Sequence, residues 1–370
     1  SGSSGITIAS GTSSVGAVYF ADGTSGNTRY RGQIYYVHGS DDYLAFATAG
    51  GGATNFKLDG NSRISLSNND GDNTGNTIFG KSAWNCSSNN ASDYNTIFGE
   101  GAMGTGAVAN ASDNVAVGYT ALAGLTTGDQ NTAIGGQAGK LIVTGASNIA
   151  IGHQAYDAAD GAESHNIAIG QSALGNLNND SATRNIAIGN YAGDGMSTLA
   201  NLDNVFMGYD AGGGSWTGTL SSYNVGIGNY TLDAIMNGAV YNIAVGHTAL
   251  SENTTGIANI GVGAYAGANN TTGTHNVAIG SNDGTTWMGA LQQNTVGKYN
   301  IAIGTAALSL ANEDDNDGTV AIGHLACKVQ AGTGGSQFAN ATVGIGYKAL
   351  TALTTGAGNV AVGYQALTVC

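Results

Sequence analysis

Three acidic residues stand at alternate positions in a short stretch near the end of the chain. Glu313, Asp315 and Asp317 lie in the segment ANEDDNDG, and Gly318 follows them directly. Carboxylate oxygens at alternate positions before a glycine are the ligands with which a calcium loop opens. The glutamate that would close such a loop is missing. We therefore interpret the segment as a solvated acidic turn, with a Ca²⁺ site at these three residues as the alternative, and we expect no other cofactor.

A second acidic group, formed by Asp157, Asp160 and Glu163, lies within one insertion of the chain. Two carboxylates about 5 to 9 Å apart can hydrolyse a glycosidic bond, so this group would suit a polysaccharide depolymerase. The sequence contains no Gly-x-Ser-x-Gly, Walker or His-Glu-x-x-His motif. We interpret the three carboxylates as part of a solvated loop, and we predict a protein that has no catalytic residues and is not an enzyme.

Three aromatic residues in the longer insertions are the best candidates for contact with a ligand. These residues are Trp216, Tyr223 and Trp287. Sugar rings have apolar faces that stack on Trp and Tyr, while neighbouring polar side chains bind the hydroxyl groups. We predict that the three residues bind a glycan, and the alternative is that they cap the fold or pack against a neighbouring subunit.

The composition excludes several classes of protein. The 370 residues include no proline and 62 glycines, and the 24 acidic and 10 basic residues give a formal charge of −14. This excess of negative charge opposes binding to nucleic acid and to an anionic membrane surface. No apolar run approaches the 18 residues of a membrane span. Cys86, Cys327 and Cys370 are too far apart in the sequence to form a disulfide framework or a zinc motif.

A short repeat dominates the chain from residue 76 to residue 363. Its core has five positions: Asn, then a β-branched residue, then a residue that is usually Ala or Gly, then an apolar residue, and finally Gly. This core recurs sixteen times at intervals of 17 to 24 residues. Asn takes the first position in fourteen copies, and Thr319 and Thr342 replace it in the other two. We predict a ladder of Asn side chains that bond to one another along the repeat axis. The predicted ladder includes Asn114, Asn131, Asn148, Asn166, Asn185, Asn204, Asn242, Asn259 and Asn276.

Each repeat translates into one turn of a coil. In NIAIG, alternation places Ile167 and Ile169 on one face of a short strand and Ala168 on the other, and the glycine makes a corner. We predict a second short strand around Ala173 and Leu174, and a Thr-Gly turn that returns the chain. A period of 17 is too short for a three-sheet β-helix and suits a flattened two-strand roll. Sixteen turns would form a rod of about 75 to 80 Å.

Such a thin roll buries few large side chains, so we expect it to need partners of the same kind. Small residues at the repeated Ala positions would let backbones approach closely around a threefold axis, which favours a homotrimer. Residues 1–70 differ from the repeat: residues 17–20, 33–37, 43–48 and 54–58 read as short strands between turns. We predict an all-β protein with a β-meander module at 1–70 and a parallel β-roll shaft at 71–370.

The units NIAIGHQA and NVAVGYQAL resemble the head repeats of trimeric autotransporter adhesins. That resemblance implies a left-handed parallel β-roll in a trimer. The longer unit ALTALTTGAGNVAVGYQAL and the segments GAVYFADG and RGQIYYVHGSDDYLAFAT are similar to bacteriophage tail fibre proteins. The anchor barrel of the adhesins and the self-cleaving chaperone of many phage fibres are both absent from the sequence, which favours a mature phage fibre.

These observations predict a structural and adhesive protein. We expect the shaft of a phage tail fibre in the virion, with a bacterial surface adhesin head, outside the cell, as the alternative and a depolymerase spike as the third. The expected partners are two further copies of the chain, other tail or fibre proteins, and a glycan or protein on the host surface. We expect neither nucleic-acid binding nor membrane insertion.

Overall fold

The computed structural model describes residues 8–11, 14–21, 32–37, 43–48, 56–59, 64–65, 75–84, 92–105, 107–285, 288–311, 317–329, 340–353 and 356–368. Strands are the regular secondary structure in these ranges, and they form two sheets. The protein is therefore all-β, as the sequence predicts.

The first sheet is an antiparallel meander in which each strand pairs with the next along the chain. Four of its strands confirm those predicted for the N-terminal residues, and a short fifth strand extends the sheet. The predicted boundary after residue 70 lies outside the described ranges and stays a prediction. The strands are β1 (Val15–Phe20), β2 (Gly32–Val37), β3 (Tyr43–Thr48), β4 (Phe56–Asp59) and β5 (Ile64–Ser65).

The second sheet has sixteen strands of three residues, one from each repeat, all parallel and in chain order. Equivalent residues pair in register, so that Ile149 faces Ile167 and Ala150 faces Ala168. This arrangement is a parallel β-solenoid. Its strands are β6 (Thr77–Phe79), β7 (Thr96–Phe98), β8 (Val115–Val117), β9 (Thr132–Ile134), β10 (Ile149–Ile151), β11 (Ile167–Ile169), β12 (Ile186–Ile188), β13 (Val205–Met207), β14 (Val225–Ile227), β15 (Ile243–Val245), β16 (Ile260–Val262), β17 (Val277–Ile279), β18 (Ile301–Ile303), β19 (Val320–Ile322), β20 (Val343–Ile345) and β21 (Val360–Val362).

The middle residue of each strand, which is Ala or Gly in thirteen of the sixteen strands, faces the inside of the solenoid, and the flanking pair, mostly β-branched, faces outward. In β11, Ala168 is fully buried, whereas Ile167 and Ile169 are only half-buried. The inside is instead filled from the opposite wall, by residues such as Leu174 and Leu177 in the turns. Because both walls share one narrow interior, the strand can contribute only a small side chain there.

The second strand predicted around Ala173 and Leu174 is wrong. These residues form a tight turn, in which Ser172 and Leu174 have φ values of +52° and +50°. A left-handed residue at every second position curls the backbone and cannot belong to a strand. The turns are still joined from one repeat to the next, for example by the Leu174 N–H, which donates to the Ala192 carbonyl at 2.9 Å. The solenoid therefore has one flat sheet and one coiled wall.

Three rungs depart from this pattern: β6 and β7 have Ile78 and Ile97 in the middle position, and β13 has the larger Phe206. In β13 the middle residue is Phe206 rather than Ala or Gly, and the adjacent strand has Gly226 opposite it. A Cβ atom added to Gly226 or to Gly212 would lie 2.9 or 2.8 Å from the Phe206 ring. The two glycines therefore provide the space that the aromatic ring fills.

Candidate functional site

The predicted Asn ladder is present. All nine of the predicted residues are buried, and each bonds to the equivalent residue one turn away. The Asn185 Nδ2 donates to Asn166 Oδ1 at 3.2 Å and to the Asn201 carbonyl at 2.9 Å. The ladder is therefore a structural feature that ties consecutive turns together.

The ladder also binds the backbone, which the sequence pattern does not reveal. In most turns the Asn oxygen accepts both the side-chain amide and the backbone N–H of the next Asn: Asn204 donates to Asn185 Oδ1 by both groups, at 3.1 and 3.2 Å. Asn148 and Asn276 accept only the backbone N–H of the next Asn. The amide also holds a carbonyl of the return segment, as Asn185 holds Asn201. Each Asn thus fixes the entry of the next strand and the loop that precedes it.

The candidate Ca²⁺ site is only partly within the described residues. Glu313 and Asp315 lie outside them, so their part of the prediction stays open. Asp317 accepts a hydrogen bond from the Lys298 backbone N–H at 2.7 Å, and its own N–H donates to Asn340 Oδ1 at 2.9 Å. Across the described ranges, no three His, Cys, Asp or Glu residues are grouped so that they could hold a metal ion.

The second acidic group is not uniformly solvated. Asp160 is exposed and Asp157 is half-buried, but Glu163 is buried, so the predicted solvated loop is wrong for Glu163. The Glu163 Oε2 accepts a hydrogen bond from the Gly161 N–H at 3.0 Å, and burial raises the pKa of this carboxyl. The nearby Tyr156 fills an interior position and accepts a hydrogen bond from Asn166 at 2.7 Å. Glu163 therefore belongs to the interior of its turn.

The three aromatic residues predicted to bind a glycan have different positions. Trp216 is only 2% exposed and packs edge-to-face on Phe206 at a centroid distance of 5.6 Å, so the exposed loop position expected for it is wrong. Tyr223 is exposed and stacks on Tyr241 at 5.1 Å. Trp287 lies outside the described residues, and its part of the prediction stays open.

Five aromatic rings form a continuous line along the corner where the strands end. We call this set the ring column, and it consists of Tyr191, Tyr209, Tyr230, His247 and Tyr265. The successive centroids are 5.8, 5.5, 5.8 and 5.4 Å apart. Each ring is one or two residues after the core glycine of its repeat. The signal in the sequence is an aromatic residue one or two positions after the core glycine in five consecutive repeats.

Carboxylates stand in the same turns as the first three rings of the ring column. Asp194, Asp210 and Asp233 lie in three consecutive repeats and are half-buried. Burial raises the pKa of Asp194 to about 6, with further contributions from the charges of Asp210 and Asp157. Burial likewise raises the pKa of Asp233 to about 6, with contributions from Asp210 and Glu252. The ionised form of these two carboxyls is therefore less stable than that of ordinary surface carboxylates.

This arrangement predicts that the protein is more stable in mild acid. Burial raises the pKa of Asp194 and Asp233 to about 6 in the folded chain, from an ordinary value of about 3.9 in the unfolded chain. The stability that the protonated carboxyls contribute is therefore complete below about pH 3.9 and is lost as the pH rises through about 6. We expect Asp194→Asn with Asp233→Asn to raise the melting temperature at neutral pH. After allowance for solvent screening, the gain is on the order of 1 kcal/mol per carboxyl.

The measurement is calorimetry at about pH 4.5 and about pH 7.5, on either side of the raised values. The wild-type melting temperature should fall between the two conditions, and the double variant should show a smaller fall. Asp160→Asn, at an exposed position, is the control for the removal of charge alone. An equal gain from that control would mean that general charge repulsion, and not burial, is responsible.

The outward side of the sixteen-strand sheet is apolar along its whole length. We define the outer face as the first and third side chains of strands β6 to β21. These are Ile, Val, Phe or Met apart from three Thr residues, and none of them is fully buried. Several are well exposed, including Ile134 at 40% and Val360 at 66%. In the described chain this face has no layer packed over it.

In the ranges that the structure covers, no helix has the length and apolar character to cross a membrane. Comparison with protein-family models, with curated proteins and with solved structures finds no match to this chain.

Proposed function

We propose that this chain is the shaft and receptor-binding region of a bacteriophage tail fibre, assembled as a homotrimer. The observation that carries the proposal is the outer face. Sixteen strands at about 4.8 Å and three residues at about 3.3 Å give a flat apolar surface of about 75 by 10 Å. A soluble monomer rarely exposes a continuous apolar patch larger than a few hundred Å². The outer face is therefore expected to be covered by identical chains.

The chemistry of the outer face favours copies of the chain as its cover. It runs the length of the solenoid with the same pattern in every turn, so a second copy offers the same length and spacing. Interfaces between permanently associated chains are large and apolar, as this one would be. The repeated alanines, such as Ala168 and Ala249, line the interior of their own chain. These alanines therefore do not bring the backbones of different chains together, contrary to the prediction from the sequence. The number of three chains rests on the resemblance to trimeric fibres.

A long rod with a regular core and variable loops suits attachment to a cell surface, because the core sets the reach and the loops are free to vary. The repeats are similar to those of phage fibres, and this favours the virion over a bacterial surface adhesin of the same architecture. The proposed partners are other tail or fibre proteins and a glycan or protein of the host surface. We propose no catalytic role.

The assembly is tested by one substitution in the outer face. We expect light scattering of the wild-type protein to give three times the mass of the 36.7 kDa chain. Ile169→Glu should break this assembly, because it would bury an unpaired charge between chains. Gln171→Glu adds the same charge two residues away at an exposed position, and we expect it to leave the mass unchanged. A folded wild-type monomer would refute the proposed assembly, and a dimer would refute the number three.

The biological setting is tested separately with antibodies raised against the chain. Labelling of tail appendages on virions, viewed by electron microscopy, is the expected result. Labelling of the bacterial envelope instead would identify a surface adhesin and contradict the proposed virion location.

A further inference from the structure

We propose that the ring column is a binding site for a neutral polysaccharide chain that lies along the axis of the rod. The inference rests on the proposed function, because it names the class of host-surface ligand that such a fibre would contact. Its physical basis is the geometry of five rings and three carboxylates, which does not depend on the number of chains in the assembly.

The ring column is long and continuous enough for several sugar units. It covers five consecutive turns, which corresponds to about 19 Å between its first and last turns. Tyr209 and Tyr230, at its centre, are 42% and 37% exposed, and the ring of His247 is also exposed. The interplanar angles of 78°, 68°, 81° and 58° show that each ring is turned relative to the next. Such rings offer both faces and edges to the apolar faces of a sugar chain.

The column is held in place before any ligand binds. Each ring contacts its neighbour edge-to-face or in a tilted arrangement, and Tyr191 also accepts a hydrogen bond from Gln171 Nε2 at 3.1 Å. Tyr and His side chains have few rotatable bonds, and their mutual contacts restrict them further. A preorganised site loses less entropy on binding than a set of independent side chains.

The fold does not require aromatic residues at these positions. The repeat before the column has Gln171 and Ser172 after its core glycine, and the repeat after the column has Ser281 and Asn282. The solenoid continues through these repeats with the same strand pairing. Five rings in succession, of which the three in the middle are exposed and the two end rings half-buried, are therefore not explained by the requirements of the solenoid. Recognition of a ligand is a role that such surfaces commonly serve.

The carboxylates favour a ligand that is rich in hydroxyl groups and carries no negative charge. Asp210 directly follows Tyr209, and its charge acts on Asp194 and Asp233 in the turns on either side. Within the described residues, none of the three forms an ion pair with a basic side chain. Carboxylate oxygens accept hydrogen bonds from sugar hydroxyl groups, whereas a polyanion would be repelled by them and by the net charge of −14.

The test uses affinity electrophoresis of the whole chain in gels that contain a neutral glucan, galactan or mannan, with alginate as the acidic counterpart. We expect at least one neutral polysaccharide to retard the wild-type protein and alginate to have no effect. Tyr209→Ala with Tyr230→Ala interrupts the column at its centre and should weaken binding about tenfold or more. The matched control is Tyr94→Ala with Tyr119→Ala, which removes two exposed tyrosines outside the column and should leave binding unchanged.

Three binding results overturn the inference. Absence of binding to every neutral polysaccharide, equal retardation by alginate, or full binding by the Tyr209 and Tyr230 variant would each do so. Loss of the trimer in that variant, measured by light scattering, would instead assign the rings to contacts between chains. Binding by a wild-type protein that is monomeric would support the ring column while the proposed assembly fails, so the two proposals fail separately.

Discussion

Gly170→Ala is expected to destabilise the solenoid strongly, although it adds only one methyl group. Gly170 has a φ of +136°, which is essentially restricted to glycine, and an added Cβ would press against the carbonyl group of Gly189 in the next turn. Backbone groups of a paired strand cannot move away without losing the ladder. We expect a loss of about 3 kcal/mol or more, measured as a lower melting temperature or a lower denaturant midpoint.

Gly136→Ala is the matched control for this prediction. Gly136 follows the core glycine of its own repeat, its φ is not positive, and an added Cβ would come no closer than 3.5 Å to the His153 ring. That substitution should change stability by no more than about 0.5 kcal/mol. Equal melting temperatures for the two variants would show that the corner geometry is not needed for stability.

Asn185→Leu should be the second most damaging substitution. It removes the oxygen that accepts the N–H and the side-chain amide of Asn204, and it removes the amide that holds Asn166 and Asn201. All of these groups are buried, so neither water nor another side chain is placed to replace the lost partner. Leaving several buried polar groups unsatisfied costs about 1 to 3 kcal/mol each, and we expect a loss of about 3 kcal/mol or more.

Hydrogen exchange gives this prediction a local measurement. The backbone amide of Asn204 should exchange much faster in the Asn185→Leu variant, because it has lost its acceptor. Asn269→Leu, which changes an exposed Asn outside the ladder, should affect neither exchange at Asn204 nor the melting temperature. Unchanged exchange at Asn204 in the Asn185 variant would contradict the role that we assign to the ladder.

Much of the solenoid is predictable from the repeat because one short pattern is repeated with little variation. Alternation in residues 167–169 predicts a strand, and Asn at an equivalent place in nearly every turn predicts a ladder. Alternation does not specify which face is inside when one face is β-branched and the other is Ala. That assignment depends on the opposite wall, where Leu174 already occupies the interior.

The features that the sequence did not predict correctly depend on contacts between turns, which a short-range pattern does not reveal. The left-handed φ of Leu174 accompanies hydrogen bonds to the adjacent turns, which residues 172–175 alone do not predict. The burial of Trp216 depends on Phe206, which is distant enough in the sequence to escape a local pattern. The ring column was missed because each of its rings, taken alone, is an ordinary surface side chain that is exposed or half-buried.

The unusual rung at Phe206 has a consequence for how the chain finds its native stacking order. Most rungs are interchangeable: β10, β11 and β12 have the same Ile-Ala-Ile sequence, so a stack that omits or exchanges a turn would form nearly the same hydrogen bonds. Misaligned states of that kind would be nearly equal in energy to the native one, and they would slow folding. Phe206 fits only where Gly212 and Gly226 leave room for it. Phe206 therefore raises the free energy of any stack in which a turn is omitted or exchanged, because its ring then clashes with a larger residue or leaves a cavity. In this way one rung specifies the alignment of an otherwise uniform stack.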